Sequence, residues 1–422
     1  MRSNFYYRIF PFFLFLGLFS GCVTNQSRYS EPLYEMELID RPDTNNWQIE
    51  KVSEQQLEQL EPGYKPASDS DEGGIWYTME KAEMELKNSG ALLRDDELSA
   101  YLREISCNLA PEYCNDIRIY VLKAPYFNAS MAPNGSLVIW TGLLLRAQNE
   151  AQLAAVIGHE MGHYLRRHSL QRLRDTINTT STLAFVRVAT AAVGLGIVGD
   201  VAFLAGAGGL QAFSRDMERE ADGYGIALMS RAGYDPREIA NLWNQVIKEK
   251  EADEDENFSM LLFDSHPPSE ERLEALASLA DEIIARNSRS YKLEKQRYRD
   301  ILAPHLGDFL QADLHLRNFS RSDVLLQLLN EQNPGNGTFL FYQAEMYRLR
   351  CKEGDKKKAL ELYRKAAGLN GAPAEVYRAI GLLEREQGNI ELARNAFEEY
   401  LLKSPDAADK EMIEHMLQRN SL

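Results

Sequence analysis

The sequence predicts a mostly helical α+β protein, in which a domain with a small β-sheet precedes an α-helical repeat domain. Three observations support this fold class. A helix is predicted around the sequence His159-Glu160-Met161-Gly162-His163, two β-rich segments precede it, and a 34-residue periodicity marks the C-terminal part. A chain of 422 residues is too long for one ordinary hydrophobic core, so two or three domains are expected.

The first 22 residues have the pattern of a bacterial export signal, with a basic start, a short apolar segment and small residues before Cys22. The apolar segment is too short to span a bilayer. Its end resembles a lipobox, which implies a lipid on Cys22 and, with Val23 following, anchoring to the outer membrane. Ordinary secretion with an unmodified Cys22 is the alternative. Residues 23–75 are polar and acidic and are predicted to be a tether, with Leu57 and Leu60 docking on the folded part.

The charge balance limits the possible partners. With 47 Lys and Arg residues against 63 Asp and Glu residues, the net charge is −16. Electrostatic repulsion therefore disfavours nucleic acid and anionic membrane surfaces as main partners. Cys107 and Cys114 lie on either side of Pro111, and they are either a disulfide, which export permits, or two buried thiols.

The region before the motif helix is predicted to contain two helices and a small sheet. The helices cover about residues 76–88 and 95–110, and the second is opened by acidic residues. Segments 117–122 and 136–140 are rich in β-branched and aromatic residues and are predicted strands. An edge strand of this sheet could accept an extended peptide, or helices could cover the sheet completely.

The motif helix has recognisable ends. Asn149 is a favourable N-cap, and Gln152 stands three residues later, as in a capping box. Apolar residues then repeat with helical spacing as far as Leu165. The basic residues 166–168 continue this spacing and are predicted to form the C-terminal end of the same helix.

Two segments together predict a metal site. Residues four apart share a helix face, so His159 and His163 can hold one metal ion, with Glu160 beside them to act on a water molecule. Glu218 lies in a later predicted helix and completes a His₂Glu set of the kind found in catalytic zinc sites. A surface helix with two unrelated histidines and an exposed Glu218 is the alternative, which the joint occurrence of both segments disfavours.

Three further segments have less specific patterns. Residues 177–213 are rich in Ala, Val, Thr and Gly, and they are either a membrane-dipping hairpin or a buried helix followed by a glycine-rich loop that could cover the site. The charged run 248–256 is predicted to be a solvated surface loop. His266 lies in a His-Pro-Pro turn before a helix capped by Ser269, where spacing alone predicts a turn histidine bonded to the backbone.

The C-terminal part contains an internal repeat. Equivalent positions lie 34 residues apart in three pairs: Gly354 and Gly388, Ala359 and Ala393, Tyr363 and Phe397. This spacing matches a tetratricopeptide repeat, which is a pair of packed helices. Residues 305–422 are therefore predicted to form a repeat domain whose concave surface binds peptides or proteins. A helical bundle without a ligand is the alternative.

Taken together, these segments resemble the periplasmic beta-barrel assembly-enhancing proteases, repeat-containing relatives of the CAAX prenyl protease family. The resemblance covers roughly residues 75–405 and rests on the two metal-site segments, His266-Pro267 and the repeats. It implies the following roles: zinc ligands His159, His163 and Glu218, catalytic base Glu160, ligand-orienting Asp222 and a regulatory His266. Gly223 stands where the family usually has Arg, so a contact of that Arg is lost or replaced.

The expected function is a zinc-dependent endopeptidase of the periplasm, with one zinc ion per chain and residues 76–304 as its catalytic domain. The resemblance implies unfolded or stalled outer-membrane proteins as substrates and the barrel assembly machinery as a partner of the repeats. The alternative is a chaperone or scaffold without enzymatic activity, in which zinc only braces the fold. A structural zinc site would not need Glu160, so the sequence favours the enzyme.

Overall fold

A computed structural model describes residues 60–179, 213–253, 262, 266, 269–287 and 289–418. All of them belong to one compact unit of the chain, residues 57–422. The predicted signal, Cys22 and most of the tether, including Leu57, lie outside the described residues, as do residues 180–212 of the glycine-rich segment. Leu60 is buried, and its backbone N–H donates a hydrogen bond to the carbonyl of Leu165, so this end of the tether docks as predicted.

The described part is predominantly helical with a small sheet near its start, which confirms the predicted fold class. The described helices are α1 (Asp71–Asn88), α2 (Asp96–Leu109), α3 (Thr141–Arg146), α4 (Glu150–Leu165), α5 (His168–Thr179), α6 (Arg215–Arg231), α7 (Glu238–Glu251), α8 (Glu270–Arg286), α9 (Lys295–Leu302), α10 (Leu306–His315), α11 (Phe319–Gln332), α12 (Gly337–Arg350), α13 (Asp355–Ala367), α14 (Glu375–Glu386), α15 (Ile390–Lys403) and α16 (Lys410–Gln418). None of these helices combines the length and apolar character that crossing a bilayer requires.

The sheet has four strands: β1 (Leu92–Leu93), β2 (Arg118–Leu122), β3 (Ala129–Met131) and β4 (Ser136–Trp140). Their order is β1-β2-β4-β3, with β2 and β4 parallel and the two outer strands antiparallel to their neighbours. The predicted strands 117–122 and 136–140 are confirmed as β2 and β4. Strands β1 and β3 are too short for an alternating pattern to reveal them. Strand β3 forms one edge of the sheet and packs against α4.

The first two helices lie close to their predicted positions. Helix α1 begins at Asp71, earlier than predicted, because Ser70 Oγ accepts a hydrogen bond from the N–H of Gly73 at 3.0 Å and caps the helix. Helix α2 occupies the predicted range. Cys107 in α2 is joined to Cys114 by a disulfide, which settles the two alternatives for this pair.

The motif helix α4 lies in the centre of the core, since every one of its residues is buried. Its N-cap is the predicted one, because Asn149 Oδ1 accepts a hydrogen bond from the N–H of Gln152 at 2.9 Å. Its predicted C-terminal end is wrong. The helix stops at Leu165, Arg167 adopts a φ of 56°, and a new helix begins at His168. The basic residues therefore mark a change of chain direction.

Helices α4 and α6 approach each other more closely than ordinary side chains would allow. A Cβ atom on Gly162 would lie 2.9 Å from the Cα of Ala221, and one on Gly225 would lie 2.9 Å from the backbone nitrogen of His159. Both distances are shorter than van der Waals contact and involve backbone atoms, which cannot move aside cheaply. Glycine at these two positions therefore sets the separation of the helices that carry His159, His163 and Glu218.

A buried charged network joins the sheet-containing part to the helices that follow residue 304. Arg146 donates hydrogen bonds to Glu249 Oε2 of α7 at 2.7 Å and to Asp313 Oδ1 of α10 at 2.8 Å, and Arg321 of α11 donates to the same Asp313 oxygen. All four side chains are at most 2% exposed. The predicted solvated loop at 248–256 is thus wrong for Glu249, whose partner Arg146 lies 103 residues earlier. Removing one partner would leave buried charges unpaired, so the network ties the two parts together.

The 34-residue spacing corresponds to equivalent positions in two helix pairs. Helix α12 packs on α13, and α14 packs on α15. Gly354 and Gly388 both have a φ of 81°. The other two predicted pairs are buried at 0% exposure: Ala359 and Ala393, Tyr363 and Phe397.

We predict that Gly162→Ala destabilises the protein by about 1–3 kcal/mol, because the added methyl group forces α4 away from α6. Gly74→Ala is a matched control, since Gly74 lies in helix α1 and a Cβ there would have nothing within 4 Å. The control should be neutral or more stable by up to about 1 kcal/mol. Chemical denaturation of both variants measures the difference, and an unchanged Gly162→Ala would contradict the proposed close packing.

Candidate metal centre

Four buried side chains converge from three places in the chain. His159 and His163 lie on α4, Glu218 lies on α6, and His266 precedes α8. Their ligand atoms all lie within 4.8 Å of one another, and each residue is at most 3% exposed. The fold thus brings together the three ligands predicted from the sequence, and it adds His266, for which spacing alone predicted a bond to the backbone.

The distances within this cluster suit a tetrahedral metal ion. His159 Nε2 lies 3.2 Å from both His163 Nε2 and His266 Nδ1. Glu218 Oε1 lies 3.4 Å from His163 Nε2 and 2.9 Å from His266 Nδ1. Zinc–ligand bonds of about 2.0–2.1 Å place neighbouring tetrahedral ligands about 3.3 Å apart. The nitrogen and carboxylate donors also match zinc chemistry, so the residues present fit one zinc ion.

The pKa shifts of two ligands favour the forms that bind metal. For the ligand His159, by contrast, burial lowers the pKa, but Asp222, Glu218 and Glu160 more than offset this effect and raise it. Burial lowers the pKa of the His163 imidazole well below its usual value, which favours the neutral ring. Burial raises the pKa of the Glu218 carboxyl, but the neighbouring His266, His163 and His159 more than offset this effect and lower it. A neutral imidazole and an ionised carboxylate are the forms that bind zinc.

Glu160 faces the same cluster. Its Oε1 lies 3.6 Å from His266 Nε2 and, among the described residues, has no hydrogen-bond partner although it is buried. Burial raises the pKa of this carboxyl, while His266, His159 and a backbone hydrogen bond from Met131 oppose the increase. A buried carboxylate oxygen without a donor is well placed to accept a hydrogen bond from a water molecule.

Asp222 orients one of the histidines. Its Oδ1 lies 2.9 Å from His159 Nδ1, so it can fix which ring nitrogen of His159 carries the proton. Arg272 of α8 donates two hydrogen bonds of 2.8 Å to Asp222, and its Nη1 lies 2.8 Å from Glu218 Oε2. Arg272 thus places a guanidinium beside both of these carboxylates. The role of Arg272 was not predicted from the sequence, because the residues that it contacts lie about fifty positions earlier in the chain.

Two more residues border the cluster and were not predicted. The ring of Phe213 stacks on His163 with 4.0 Å between centroids, and it covers that side of the site. His168 Nδ1 lies 2.8 Å from His163 Nδ1. In the predicted continuous helix, the side chain of His168 would point away from His163. The contact forms because the helix ends before Arg167, and it could not be predicted from the sequence.

The fold, the buried donor set and the adjacent carboxylate have the chemistry expected of a zinc metallopeptidase domain. Residues 93–280 match the model of peptidase family M48, and they include every member of the metal cluster as well as Glu160, Asp222 and Arg272. Residues 93–280 are therefore similar to peptidase family M48, which confirms the resemblance found in the sequence.

Individual relatives agree with this family. The chain is 24% identical to the beta-barrel assembly-enhancing protease of Escherichia coli strain K12 over 265 residues, which cover 60% of this chain and 50% of that protein. It is 26% identical to the Yersinia pestis protein of that name over 61% of this chain and 59% of that protein. It is 36% identical to the mitochondrial metalloendopeptidase OMA1 of Schizosaccharomyces pombe over 37% of this chain and 44% of that protein. The chain thus spans about half the length of these relatives.

We predict that His159→Ala loses the metal, because it leaves only His163 and Glu218 as permanent ligands, with His266 as a third ligand that can be displaced. Zinc content after dialysis, measured by elemental analysis, should fall from about one ion per chain to near zero. His305→Ala is the control, since His305 pairs with Asp95 away from the cluster. It should keep its zinc, and a zinc-replete His159→Ala would show that His159 is not required for zinc binding.

Proposed function

We propose that the protein is a zinc-dependent endopeptidase of the bacterial periplasm that degrades misfolded or stalled outer-membrane proteins. The observation that carries this proposal is the buried set of His159, His163 and Glu218, with the unpartnered oxygen of Glu160 facing it. A site that only braced the fold would not need the Glu160 carboxylate, since structural zinc sites are closed by their ligands.

The chemistry divides between the metal and the side chains. A zinc ion held by His159, His163 and Glu218 would polarise a carbonyl group and lower the pKa of a water molecule. Glu160 would accept a proton from the attacking water molecule at its Oε1 and then deliver it to the leaving amine of the cleaved peptide bond. Its burial and raised pKa suit both steps, since a more basic carboxylate accepts the proton and its conjugate acid can return it.

The edge strand β3 offers a place for the substrate chain. Its residue Met131 directs a backbone N–H toward Glu160, so this strand runs beside the catalytic carboxylate. An extended peptide that pairs with the outer edge of β3 would bring a peptide bond to the cluster, and backbone pairing tolerates many sequences. This mode suits a protease for unfolded chains.

The location and the substrates rest on the relatives and on the N-terminus. Relatives that are similar over about 60% of this chain are named beta-barrel assembly-enhancing proteases. We propose that lipid attached to Cys22 anchors the chain to the outer membrane, and that residues 305–422 engage the barrel assembly machinery. Such an enzyme would meet outer-membrane proteins that stall before they insert.

A second candidate function is that of a chaperone or scaffold, and a groove on the helical repeats favours it. The groove has a volume of about 600 Å³ and is lined by residues of α10, α12, α14 and α15, among them Tyr342, Arg348, Arg378 and Tyr400. Aromatic and charged groups in one groove suit an extended peptide. The groove can also deliver substrates to the zinc site, so the two functions are compatible in one chain.

We predict that Glu160→Gln keeps about one zinc ion per chain and lowers peptide cleavage by about 10²–10⁴-fold, because an amide cannot accept the proton. The assay uses an unfolded protein substrate with zinc-replete enzyme. The exposed Glu97→Gln on α2 is a control for the loss of one carboxylate. Near-normal turnover by Glu160→Gln would remove Glu160 from the role of base, whereas a zinc-replete wild type that cleaves nothing would favour the scaffold function.

We predict that Gln311→Trp, which blocks the groove, lowers kcat/KM for large substrates but not for small ones. Gln311 is exposed and lines the groove, whereas Lys357 is exposed on α13 and does not. For an unfolded β-barrel protein, kcat/KM should fall about tenfold in Gln311→Trp, which corresponds to a loss of about 1.4 kcal/mol of binding free energy. It should be unchanged for a short peptide and in Lys357→Trp. Equal kcat/KM values for the large substrate would contradict a role of the groove in delivery.

We further propose that His266 occupies the fourth ligand position at rest and keeps the site latent until substrate or a partner displaces it. Its Nδ1 lies 3.2 Å from His159 Nε2 and 2.9 Å from Glu218 Oε1, within the ligand cluster. The flanking Pro267 and Pro268 lie outside the described residues. His266→Ala should keep zinc and raise basal cleavage of short peptides, by about tenfold if displacement costs about 1.4 kcal/mol. A fall in turnover would instead assign His266 to stabilisation of the reaction intermediate.

A further inference from the structure

The chain makes a strained turn immediately after the motif helix. Arg167 has a φ of 56°, in the left-handed region that residues other than glycine rarely occupy. Its guanidinium forms an ion pair with Glu72 of α1, which helps to hold this conformation. In a continuous helix, His168 would lie about 140° around the axis from His163. The turn at Arg167 instead brings the two rings together.

His168 joins His163 to a carboxylate. Its Nδ1 lies 2.8 Å from His163 Nδ1, and its Nε2 lies 3.0 Å from Glu220 Oε2. Arg166 Nε in turn donates to Glu220 Oε1 at 2.6 Å. His168 is 0% exposed, so both of its ring nitrogens depend on these protein partners.

One arrangement of protons satisfies all of these contacts with neutral imidazoles. His163 directs Nε2 at the other ligands, so its Nδ1 carries the proton and donates to His168. His168 Nδ1 must then accept, which places the proton of His168 on Nε2, where it donates to Glu220. Each donor in this row therefore meets an acceptor.

We propose that His168 and Glu220 are positioning residues for the metal site, which fix the tautomer and ring orientation of His163. The proposal rests on zinc binding within the proposed function. His159 receives its orienting contact directly from the Asp222 carboxylate at 2.9 Å, whereas His163 receives it from a neutral ring that relays the carboxylate of Glu220. Phe213, stacked on His163, restrains the same ring from its face. Partners of this kind raise the basicity of a ligand imidazole and thereby its affinity for metal.

The wild-type protein allows a direct test of the tautomers. Nitrogen NMR of the ¹⁵N-labelled, zinc-loaded chain resolves the ring nitrogens of its seven histidines. The signals of His168 are assigned from their loss in His168→Asn. The proposal predicts that His163 carries its proton on Nδ1 and that His168 carries its proton on Nε2. A His168 protonated on Nδ1, or on both nitrogens, would overturn it.

Zinc affinity tests the energetic effect. His168→Leu removes the acceptor, and it should bind zinc about 10–100-fold more weakly in competition with a chromophoric chelator. His168→Asn should recover most of the affinity, because Asn Oδ1 can take the place of Nδ1 as acceptor. Thermal unfolding of the metal-free forms checks that both variants fold. Wild-type affinity in His168→Leu, or equal losses in both variants, would refute the positioning role.

Glu220→Gln is the second variant, and its partly exposed side chain makes it the safer change for folding. It should weaken zinc binding by a smaller factor than His168→Leu, and unchanged affinity would remove Glu220 from the relay. Because the readout is zinc affinity, the outcome is separate from the proposed function. If the wild type binds zinc but cleaves no peptide, the proposed peptidase function is wrong. The zinc affinities of the variants still decide whether His168 and Glu220 position His163.

Discussion

The close approach of α4 and α6 is the constraint on which the rest of the site depends. Glycine at 162 and 225 lets two backbones meet where any other residue would place a Cβ atom 2.9 Å from backbone. This separation brings Glu218 within 3.4 Å of His163. A wider gap would leave two histidines on one helix and a carboxylate on another, each too distant to share an ion. Contacts with α6, α7, β3 and α2 together bury α4 completely, so its polar side chains must find partners within the protein.

Those partners form a second layer of side chains around the metal cluster, because burying the cluster without them would cost free energy. Burying imidazoles and carboxylates without partners is expensive, because each loses its hydration. Asp222 supports His159, Arg272 neutralises Asp222 and Glu218, and His168 supports His163. Glu160 Oε1 is a buried acceptor at this site for which the described residues provide no donor. An acceptor of this kind is what a general base for a water molecule requires.

Much of the fold and the metal ligands could be predicted, because those features leave local patterns. His159 and His163 share a helix face at a spacing of four, Asn149 has the chemistry of an N-cap, and the 34-residue spacing marks the helix pairs. The roles of Arg272, His168 and Glu249 could not be predicted, since each depends on a partner far along the chain or on a backbone turn. Arg167 in the left-handed region redirects His168, and no residue preference signals that turn. Strands β1 and β3 are too short to show a period.

Zinc anomalous diffraction from crystals of the zinc-loaded wild-type protein tests the central claim most directly. The close packing of α4 and α6 predicts a single strong peak per chain, at about 2.0–2.2 Å from His159 Nε2, His163 Nε2 and an oxygen of Glu218. The resting site should also have His266 at bonding distance. A chain without a peak between the two helices, or with zinc bound only at other residues, would contradict the account.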